Sequence, residues 1–185
     1  MAATTRDRAL DAAVEVLGAE GVRALTHARV DARAGLPPGS TSNWFRTRRA
    51  LIAGVLDRIG EREQADLDPS QLPLPRDPGE LIEAFVALLE LQSGSFALRT
   101  RARYALFLEL ATDSELAAPL HRDRREFERL TERLVASAGI VEVVPTARAL
   151  MALGDGLLFH RLTVDPALEL RPPIERVVRA LVAHD

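Results

Sequence analysis

The sequence predicts an all-α fold of about nine helices, with an N-terminal helix-turn-helix domain in residues 1–62 and a larger helical domain in residues 63–185. Apolar residues recur with a period of about 3.6 along most of the 185 residues, and alternating runs are absent. Glycine and proline fall where these periodic segments end. Residues 1–62 hold 10 arginines and 7 acidic residues, whereas residues 63–185 hold 14 and 20, which indicates two different roles.

Caps and apolar stripes predict the first four helices. The first runs over Thr5–Glu20, and the second follows Thr26, whose hydroxyl suits a helix N-cap. The second helix stops at a Gly-Leu-Pro-Pro-Gly turn. A short third helix is predicted over Pro38–Phe45, with Pro38 at its first position. Thr47 is predicted to cap the fourth.

Five further helices are predicted after a proline-rich linker in residues 65–80, which holds four prolines in sixteen residues. The segment over residues 144–165 is nearly apolar on several sides, so we expect it to be buried on more than one face. The last helix starts at a Pro-Pro pair and is amphipathic. No internal repeat or low-complexity tract interrupts this order.

Composition excludes several classes of function. The chain has no cysteine, which excludes disulfides and thiolate chemistry, and its four histidines lack metal-ligand spacing. It has no glycine-rich phosphate loop, no Gly-x-Ser-x-Gly motif, no apolar run long enough for a membrane span and no signal-peptide pattern. We therefore expect a cytoplasmic protein that is not an enzyme and needs no metal or cofactor.

All 24 basic side chains are arginine, which is typical of a GC-rich genome. Arginine nevertheless matters physically, because its planar fork binds phosphate or a guanine edge through two hydrogen bonds. In a helix-turn-helix unit the second helix enters the DNA major groove, and phosphate contacts fix its register. The predicted DNA-binding residues are Thr26, His27, Arg29, Pro38, Gly39, Ser40, Ser42, Asn43, Trp44, Arg46 and Arg48.

Individual members of this set have separate roles. Gly39 and Ser40 are predicted to let the backbone approach a phosphate, with helix N-terminal N–H groups pointing at the anion. Asn43 suits an adenine edge. Core packing is the alternative to a DNA contact for Trp44. For Arg49, solvated surface is the alternative to a phosphate contact.

Residues 5–60 resemble the N-terminal domain of the TetR family of bacterial repressors. The resemblance is carried by Thr26, the "ARAGL" turn, Gly39, the "NWF" ending of the third helix and Arg48, in that order and spacing. The rear half is similar to the family in helix count and in its ending "ALMALGDGLLFHRLTVDP". The resemblance implies a homodimeric transcriptional regulator with a small-molecule site in the rear half.

Three positions depart from the family pattern. Pro38 stands where the family often has lysine, and Ser42 where it often has tyrosine. Both of those family residues commonly contact the DNA backbone, so these two contacts are missing here. We expect Trp44 to compensate by packing its ring on the sugar-phosphate chain. Asp31 stands where the family usually has alanine, and we expect it to accept hydrogen bonds from the turn or the third helix.

The small-molecule effector that the resemblance implies is predicted to bind in residues 63–185, through apolar side chains interspersed with a few polar ones. The candidate residues are Phe85, Leu89, Gln92, Phe96, Tyr104, Phe107, Leu108, Phe127, Met151, Asp155 and Phe159. Asp155 lies between two glycines of an apolar helix, where a lone carboxylate needs a partner. Three partners are possible for this carboxylate: Arg161 of the same helix, a residue on a neighbouring helix, and a polar group of a bound ligand. His160 suits a hydrogen-bonded core histidine better than a ligand contact.

The last two helices are predicted to form a four-helix bundle with a second copy. The candidate interface residues are Leu150, Leu157, Leu158, Arg161, Ile174, Val177, Val178 and Leu181, and Gly154 and Gly156 suit close helix packing. The predicted function is a ligand-responsive regulator that binds operator DNA as a dimer, most simply a repressor released by a small molecule. The alternative is a helical scaffold without sequence-specific DNA binding.

Overall fold

The computed structural model is all-helical over the residues that it describes, residues 4–66 and 73–182, which confirms the predicted fold class. These residues form nine α-helices and one 3₁₀ turn at Val22–Ala24. The α-helices are α1 (Thr5–Glu20), α2 (His27–Ala34), α3 (Ser40–Trp44), α4 (Arg48–Asp66), α5 (Pro78–Ser93), α6 (Ala97–Glu109), α7 (Ala118–Ser137), α8 (Val143–Thr163) and α9 (Arg171–Val182).

Helix α1 begins and ends where its sequence signals lie. The Thr4 hydroxyl accepts a hydrogen bond from the Asp7 N–H at 3.1 Å, and the Asp7 carboxylate accepts one from the Thr4 N–H at 3.1 Å. The two residues form a capping box, which satisfies amides that lack partners within the helix. The predicted apolar stripe is buried in full and consists of Ala9, Ala12, Ala13, Val16 and Leu17.

Helix α3 is shorter than predicted. It starts at Ser40, so Pro38 lies in the turn and not at the first helical position. The reason is Gly39, whose φ of +87° lies in the left-handed region that a right-handed helix cannot include. Thr47 caps α4 as predicted, since its hydroxyl accepts a hydrogen bond from the Ala50 N–H at 3.1 Å.

Residues 4–66 and Leu98–Asp123 form one compact unit. Helices α1, α2, α4 and α6 enclose its core, to which Leu10, Leu51 and Leu106 contribute fully buried side chains. This unit therefore holds α6 and the start of α7 in addition to the four N-terminal helices. The functional boundary between residues 62 and 63 stays a prediction.

A cluster of charged side chains joins α1 to α4 in the first unit. Arg58 donates to the Asp11 carboxylate from Nε at 2.7 Å and from a terminal nitrogen at 2.8 Å, and Arg62 donates to it at 2.9 Å. Burial raises the pKa of the Asp11 carboxyl, but the hydrogen bonds from the two arginines outweigh burial, so the pKa lies below its usual value. Asp11 is therefore charged at neutral pH.

Residues 73–97 and 124–182 form the second compact unit, in which α5 packs against α8 and α9. Gly154 lets α8 approach α5 closely, because a β-carbon added there would lie 3.1 Å from Phe85 Cζ and 3.4 Å from Leu89 Cδ2. The close packing predicted for Gly154 is thus present within the chain. At Gly156 an added β-carbon would have no neighbour within 4 Å.

Only one face of α8 is buried within the chain, contrary to the expectation of burial on more than one face. The buried residues recur at helical spacing and are Thr146, Ala147, Leu150, Met151, Gly154, Leu158 and Leu162. The outward face carries Ala152, Gly156 and Phe159, of which Phe159 is 52% exposed. The other helices of this unit cover one side of α8 and leave this apolar side open.

The predicted linker is only partly covered by the structure. Helix α4 continues to Asp66, and α5 begins at Pro78, where the Asp77 carboxylate caps it through the Glu80 N–H at 2.8 Å. Residues 67–72 lie outside the described residues. In the described part of the chain no single helix is long and apolar enough to cross a membrane, although α5 and α6 taken together pass that test by length and composition.

Candidate nucleic-acid interface

Asp31 holds the turn and the start of α3. Its carboxylate is 3% exposed and accepts hydrogen bonds from the Gly39 N–H at 2.8 Å, the Thr41 N–H at 2.8 Å and the Thr41 hydroxyl at 2.5 Å. The predicted role of Asp31 as an internal acceptor is confirmed.

These contacts also correct one prediction about phosphate binding. The Gly39 and Thr41 N–H groups donate to Asp31, and the Ser40 N–H donates to the Pro37 carbonyl at 3.1 Å. These three N–H groups, which were expected to be free for a phosphate, are therefore occupied by acceptors of the chain itself. The anion that complements this helix end is the Asp31 carboxylate.

The end of α3 separates an inward aromatic ring from an outward one. Phe45 is 6% exposed and packs against Gly54, where its ring leaves no room for a β-carbon. The Phe45 carbonyl lies 2.6 Å from Nε2 of His27, the first residue of α2. Trp44 is 57% exposed, so core packing does not apply to it and its indole faces solvent.

The exposed surface of α3 offers few free polar groups. The Ser40 hydroxyl donates to the Pro37 carbonyl at 2.7 Å, and the Ser42 hydroxyl donates to the Gly39 carbonyl at 2.8 Å. The Asn43 amide and the Trp44 indole N–H have no partner among residues 4–66 and 73–182. Among the described residues, Asn43 and Trp44 are therefore the side chains of α3 whose N–H donors are unused.

The arginines near the turn differ in how they are used. Arg48 donates to the Leu25 and Val22 carbonyls at 2.5 and 2.8 Å, so it braces the 3₁₀ turn. Arg29 pairs with Glu20. Arg46, by contrast, is exposed and has no partner within the described residues.

Arg49, for which solvated surface was the alternative to a phosphate contact, is exposed and forms ion pairs within the chain. Arg49 pairs with Asp113 and, at 3.0 Å, with Glu115. The hydrogen bond from Arg49 to the Asp113 carboxylate lowers the pKa of that carboxyl.

The structure brings several predicted DNA-binding residues together. His27, Pro38 and Gly39 line one open groove of about 340 Å³ beside Asp31. Thr26 caps α2, because its hydroxyl accepts from the Arg29 N–H at 3.4 Å. Whether these residues contact DNA stays a prediction.

Two features of the first unit were not predicted from the sequence. Thr41, a partner of Asp31, is buried inside the turn, and no local pattern marks it. Arg23 is exposed on the 3₁₀ turn and has no partner in the described part of the chain. A three-residue turn is too short to show a helical period, although the preceding Gly21 is a signal for a break.

The predicted effector-binding residues fall in both units. Phe85, Leu89, Gln92 and Met151 are buried in the second unit, where Phe96 and Phe127 are half-buried. Tyr104, Phe107 and Leu108 belong to the first unit, where Phe107 packs edge-on against His121 and Leu108 is 76% exposed. The predicted set is thus divided between the two units, and the binding role of these residues stays a prediction.

Asp155 has a partner within the chain. Its carboxylate pairs with Arg124 of the neighbouring helix α7 at 2.8 Å, which matches the alternative of a neighbouring helix. Arg161, the other expected partner, pairs instead with Glu90 at 2.8 Å. His160 is exposed, so the expectation of a core histidine is wrong.

The predicted interface residues divide by exposure. Four of them are fully or almost fully buried within the chain itself, namely Leu150, Leu158, Ile174 and Val178. They supply the core of the second unit, so they are not available to a partner in this conformation. Leu157, Val177 and Leu181 are half-buried.

The family model described as "Tetracyclin repressor-like, C-terminal domain" matches residues 76–184. This match covers more than half of the chain. The chain belongs to the TetR family of transcriptional regulators. A search of curated protein sequences gives no match.

Solved structures of TetR-family type share the fold over nearly the whole chain. A transcriptional regulator from Rhodococcus sp. Rha1 is 22% identical, with a TM-score of 0.78 over 98% of this chain and 95% of that chain. The multidrug binding protein EbrR complexed with ethidium is 26% identical, with a TM-score of 0.70 over 96% and 98%. A TetR-family member from Streptomyces coelicolor A3 is 25% identical, with a TM-score of 0.67 over 97% and 99%.

Asp31 gives this TetR-family chain a polar core under its turn. The position is one where the sequence departs from the family pattern, and the carboxylate there is fully satisfied by three donors. Among the described residues no cluster of three His, Asp or Glu side chains is arranged to hold a metal ion. The candidate nucleic-acid site consists of the outward residues Asn43 and Trp44 of α3 and of Arg46, which follows this helix directly.

Proposed function

We propose that this TetR-family protein is a ligand-responsive regulator that binds operator DNA through α3 and represses transcription until a small molecule releases it. The observation that carries the DNA-binding part is the outward surface of α3, where Asn43 and Trp44 are exposed. Arg46, which follows directly, is exposed and has no partner among the residues that the structure describes. In a helix-turn-helix unit, the second helix is held against the first and places its free polar groups in the DNA major groove. Helix α3 is the second helix of such a unit here.

Base reading is proposed for Asn43, whose amide can both donate to and accept from an adenine edge. Ser40 and Ser42 donate their hydroxyl protons to backbone carbonyls, so only their oxygen lone pairs are left. Phosphate oxygens only accept hydrogen bonds, whereas adenine N6 and cytosine N4 donate them. In this conformation the two serines therefore suit base donors better than phosphates.

The experiment that tests this function is the selection of bound duplexes from a random DNA pool with the purified protein at moderate salt. We expect enrichment of a sequence with two related half-sites, since a dimer presents two copies of α3. A folded protein that enriches no sequence would contradict the proposal and favour the helical scaffold instead.

Arg46→Ala is expected to weaken binding to all duplexes and to reduce the salt slope by roughly one unit, because Arg46 is proposed as a phosphate contact. The slope is measured from dissociation constants between low and moderate salt. Arg62→Ala is the matched control, since Arg62 is similarly exposed but pairs with Asp11 in the first unit. An equal loss of slope in both variants would indicate a general charge effect and contradict the Arg46 contact.

The effector is proposed to bind in the second unit against its apolar side chains. Phe85, Leu89 and Met151 supply buried apolar surface there. The polar groups are supplied by Gln92, three residues after Leu89, and Asp155, four residues after Met151. EbrR, which is 26% identical, is solved in complex with ethidium. Addition of candidate ligands to the complex of protein and selected operator tests this part, because an effector must lower the affinity for DNA.

The proposed assembly is a homodimer through the outward face of α8, defined here as Ala152, Gly156, Phe159 and Thr163. These residues are spaced three or four apart, so they share one side of the helix, and all are exposed. The small residues allow close approach of a second helix, and Phe159 offers a large apolar ring. A second copy would bury this surface in a four-helix arrangement.

Phe159→Glu is expected to raise the dimer dissociation constant about 10-fold or more, because a charge would enter an apolar interface. Sedimentation over a range of concentrations measures this constant. Leu108→Glu is the control, since Leu108 is exposed and apolar but belongs to the first unit. A dimer that is unchanged by Phe159→Glu would place the interface elsewhere.

A further inference from the structure

Two side chains of α2 contact opposite ends of the recognition helix α3. His27 and Asp31 are four residues apart, so they lie on the same side of α2. Asp31 contacts the N-terminal end of α3, and His27 contacts its C-terminal end. The two contacts therefore enclose the whole of Ser40–Trp44.

At the N-terminal end the carboxylate replaces a side-chain cap. Gly39 occupies the N-cap position and has no side chain that could accept a hydrogen bond. Asp31 instead accepts from the Gly39 and Thr41 N–H groups, both at 2.8 Å. The first N–H groups of a helix have no intrahelical acceptor, and a negative charge is favourable beside them.

At the C-terminal end the imidazole donates. The Phe45 carbonyl can only accept a hydrogen bond, so the His27 Nε2 that lies 2.6 Å away must carry the proton. The carbonyl groups in the last turn of a helix lack intrahelical donors. His27 thus satisfies a group at the end of α3, while the Phe45 ring anchors the same residue in the core.

A five-residue helix needs such contacts, because isolated helices of that length are not stable in water. We propose that His27 and Asp31 form a two-ended clamp that sets the position of α3, and that His27 is a positioning residue for DNA recognition and not a DNA contact. The part about recognition rests on the proposed function. The part about the position of α3 does not depend on DNA.

The test compares His27→Leu, which removes the donor, with His27→Gln, which keeps an amide N–H near the same place. Trp44 is the last residue of α3 and the only tryptophan of the chain, so its fluorescence reports on α3 directly. His121→Leu is the matched control, because the ring contact of His121 is with Phe107 and not with α3. All variants are full-length, and far-UV circular dichroism checks that they are folded.

Without DNA, His27→Leu is expected to raise the acrylamide quenching constant of Trp44 about two-fold and to lower its emission anisotropy. His27→Gln should lie near the wild type, and His121→Leu should equal it. Equal quenching in wild type and His27→Leu would overturn the clamp. If His27→Leu loses its helical signal, Asp31→Asn replaces it, because its amide would face the Gly39 N–H and disturb the other end of α3 by the same readout.

With DNA, His27→Leu is expected to bind the selected operator about 10-fold more weakly, while its affinity and salt slope for a scrambled duplex are unchanged. A loss on both duplexes with a smaller salt slope would overturn the proposal and make His27 a phosphate contact. A wild-type protein without sequence preference would refute the proposed function alone, and the Trp44 measurement would still decide on the clamp.

Discussion

Asp31→Ala is expected to lower the free energy of unfolding of the first unit by about 3 kcal/mol, because it removes a buried acceptor from three donors. The Gly39 N–H, the Thr41 N–H and the Thr41 hydroxyl all donate to this carboxylate. Hydrogen bonds to charged groups contribute about 1.5–3 kcal/mol, and a buried donor left unsatisfied costs about 1–3 kcal/mol. This loss of unfolding free energy should be among the largest that the substitution of a single polar residue causes in this unit.

Urea denaturation followed by Trp44 fluorescence measures this effect, because Trp44 lies at the end of α3 in the same unit. Thr41→Val is the matched control, since it keeps the volume and removes only the hydroxyl donor, with an expected loss of about 1 kcal/mol. Asp31→Asn should fall between the two, because its amide oxygen still accepts while its NH₂ faces a donor. A loss below about 0.5 kcal/mol in Asp31→Ala would contradict the structure of the turn.

Gly18→Ala is expected to destabilise the same unit by about 2 kcal/mol, although alanine is the better helix former by up to about 1 kcal/mol. A β-carbon on Gly18 of α1 would overlap the Leu98 carbonyl oxygen and lie 2.7 Å from its carbonyl carbon. These atoms are backbone, so the clash cannot be relieved by turning a side chain. The N-terminal part of α6 would have to move away from α1.

Thermal or urea unfolding of Gly18→Ala gives the measurement. Ala19→Ser serves as its control, because it also adds one heavy atom to the same turn of α1 but at an exposed position, and it should change stability by no more than about 0.5 kcal/mol. A variant Gly18→Ala that is as stable as the wild type, or more stable, would show that α6 does not approach α1 this closely.

Much of the fold followed from local patterns. The period of 3.6 predicts the helices, and the caps at Thr26 and Thr47 place the starts of α2 and α4 because a hydroxyl satisfies amides only a few residues away. Asp31 was predictable as an internal acceptor because a carboxylate on that side of α2 needs donors close by. Such effects act over a few residues, so the sequence carries them directly.

Other features depend on contacts between distant residues. Arg48 and Arg49 follow one another in sequence, yet one braces carbonyls of the 3₁₀ turn and the other pairs with Asp113. Nothing in the local pattern separates them from Arg46, which has no partner among the residues described. Which arginines are available to a phosphate is decided by the acceptors that folding brings near.

The same distinction holds for the apolar residues of α8. Leu150, Leu158 and Phe159 look alike in a hydropathy pattern, but the first two are buried within the chain and Phe159 is 52% exposed. The sequence by itself determined the helical class, the turn and the family pattern, because periodicity, capping and glycine conformations are local. Only the tertiary structure decided which side chains of those helices are buried or paired within the chain and which are left exposed. Burial and pairing depend on neighbours that are remote in sequence.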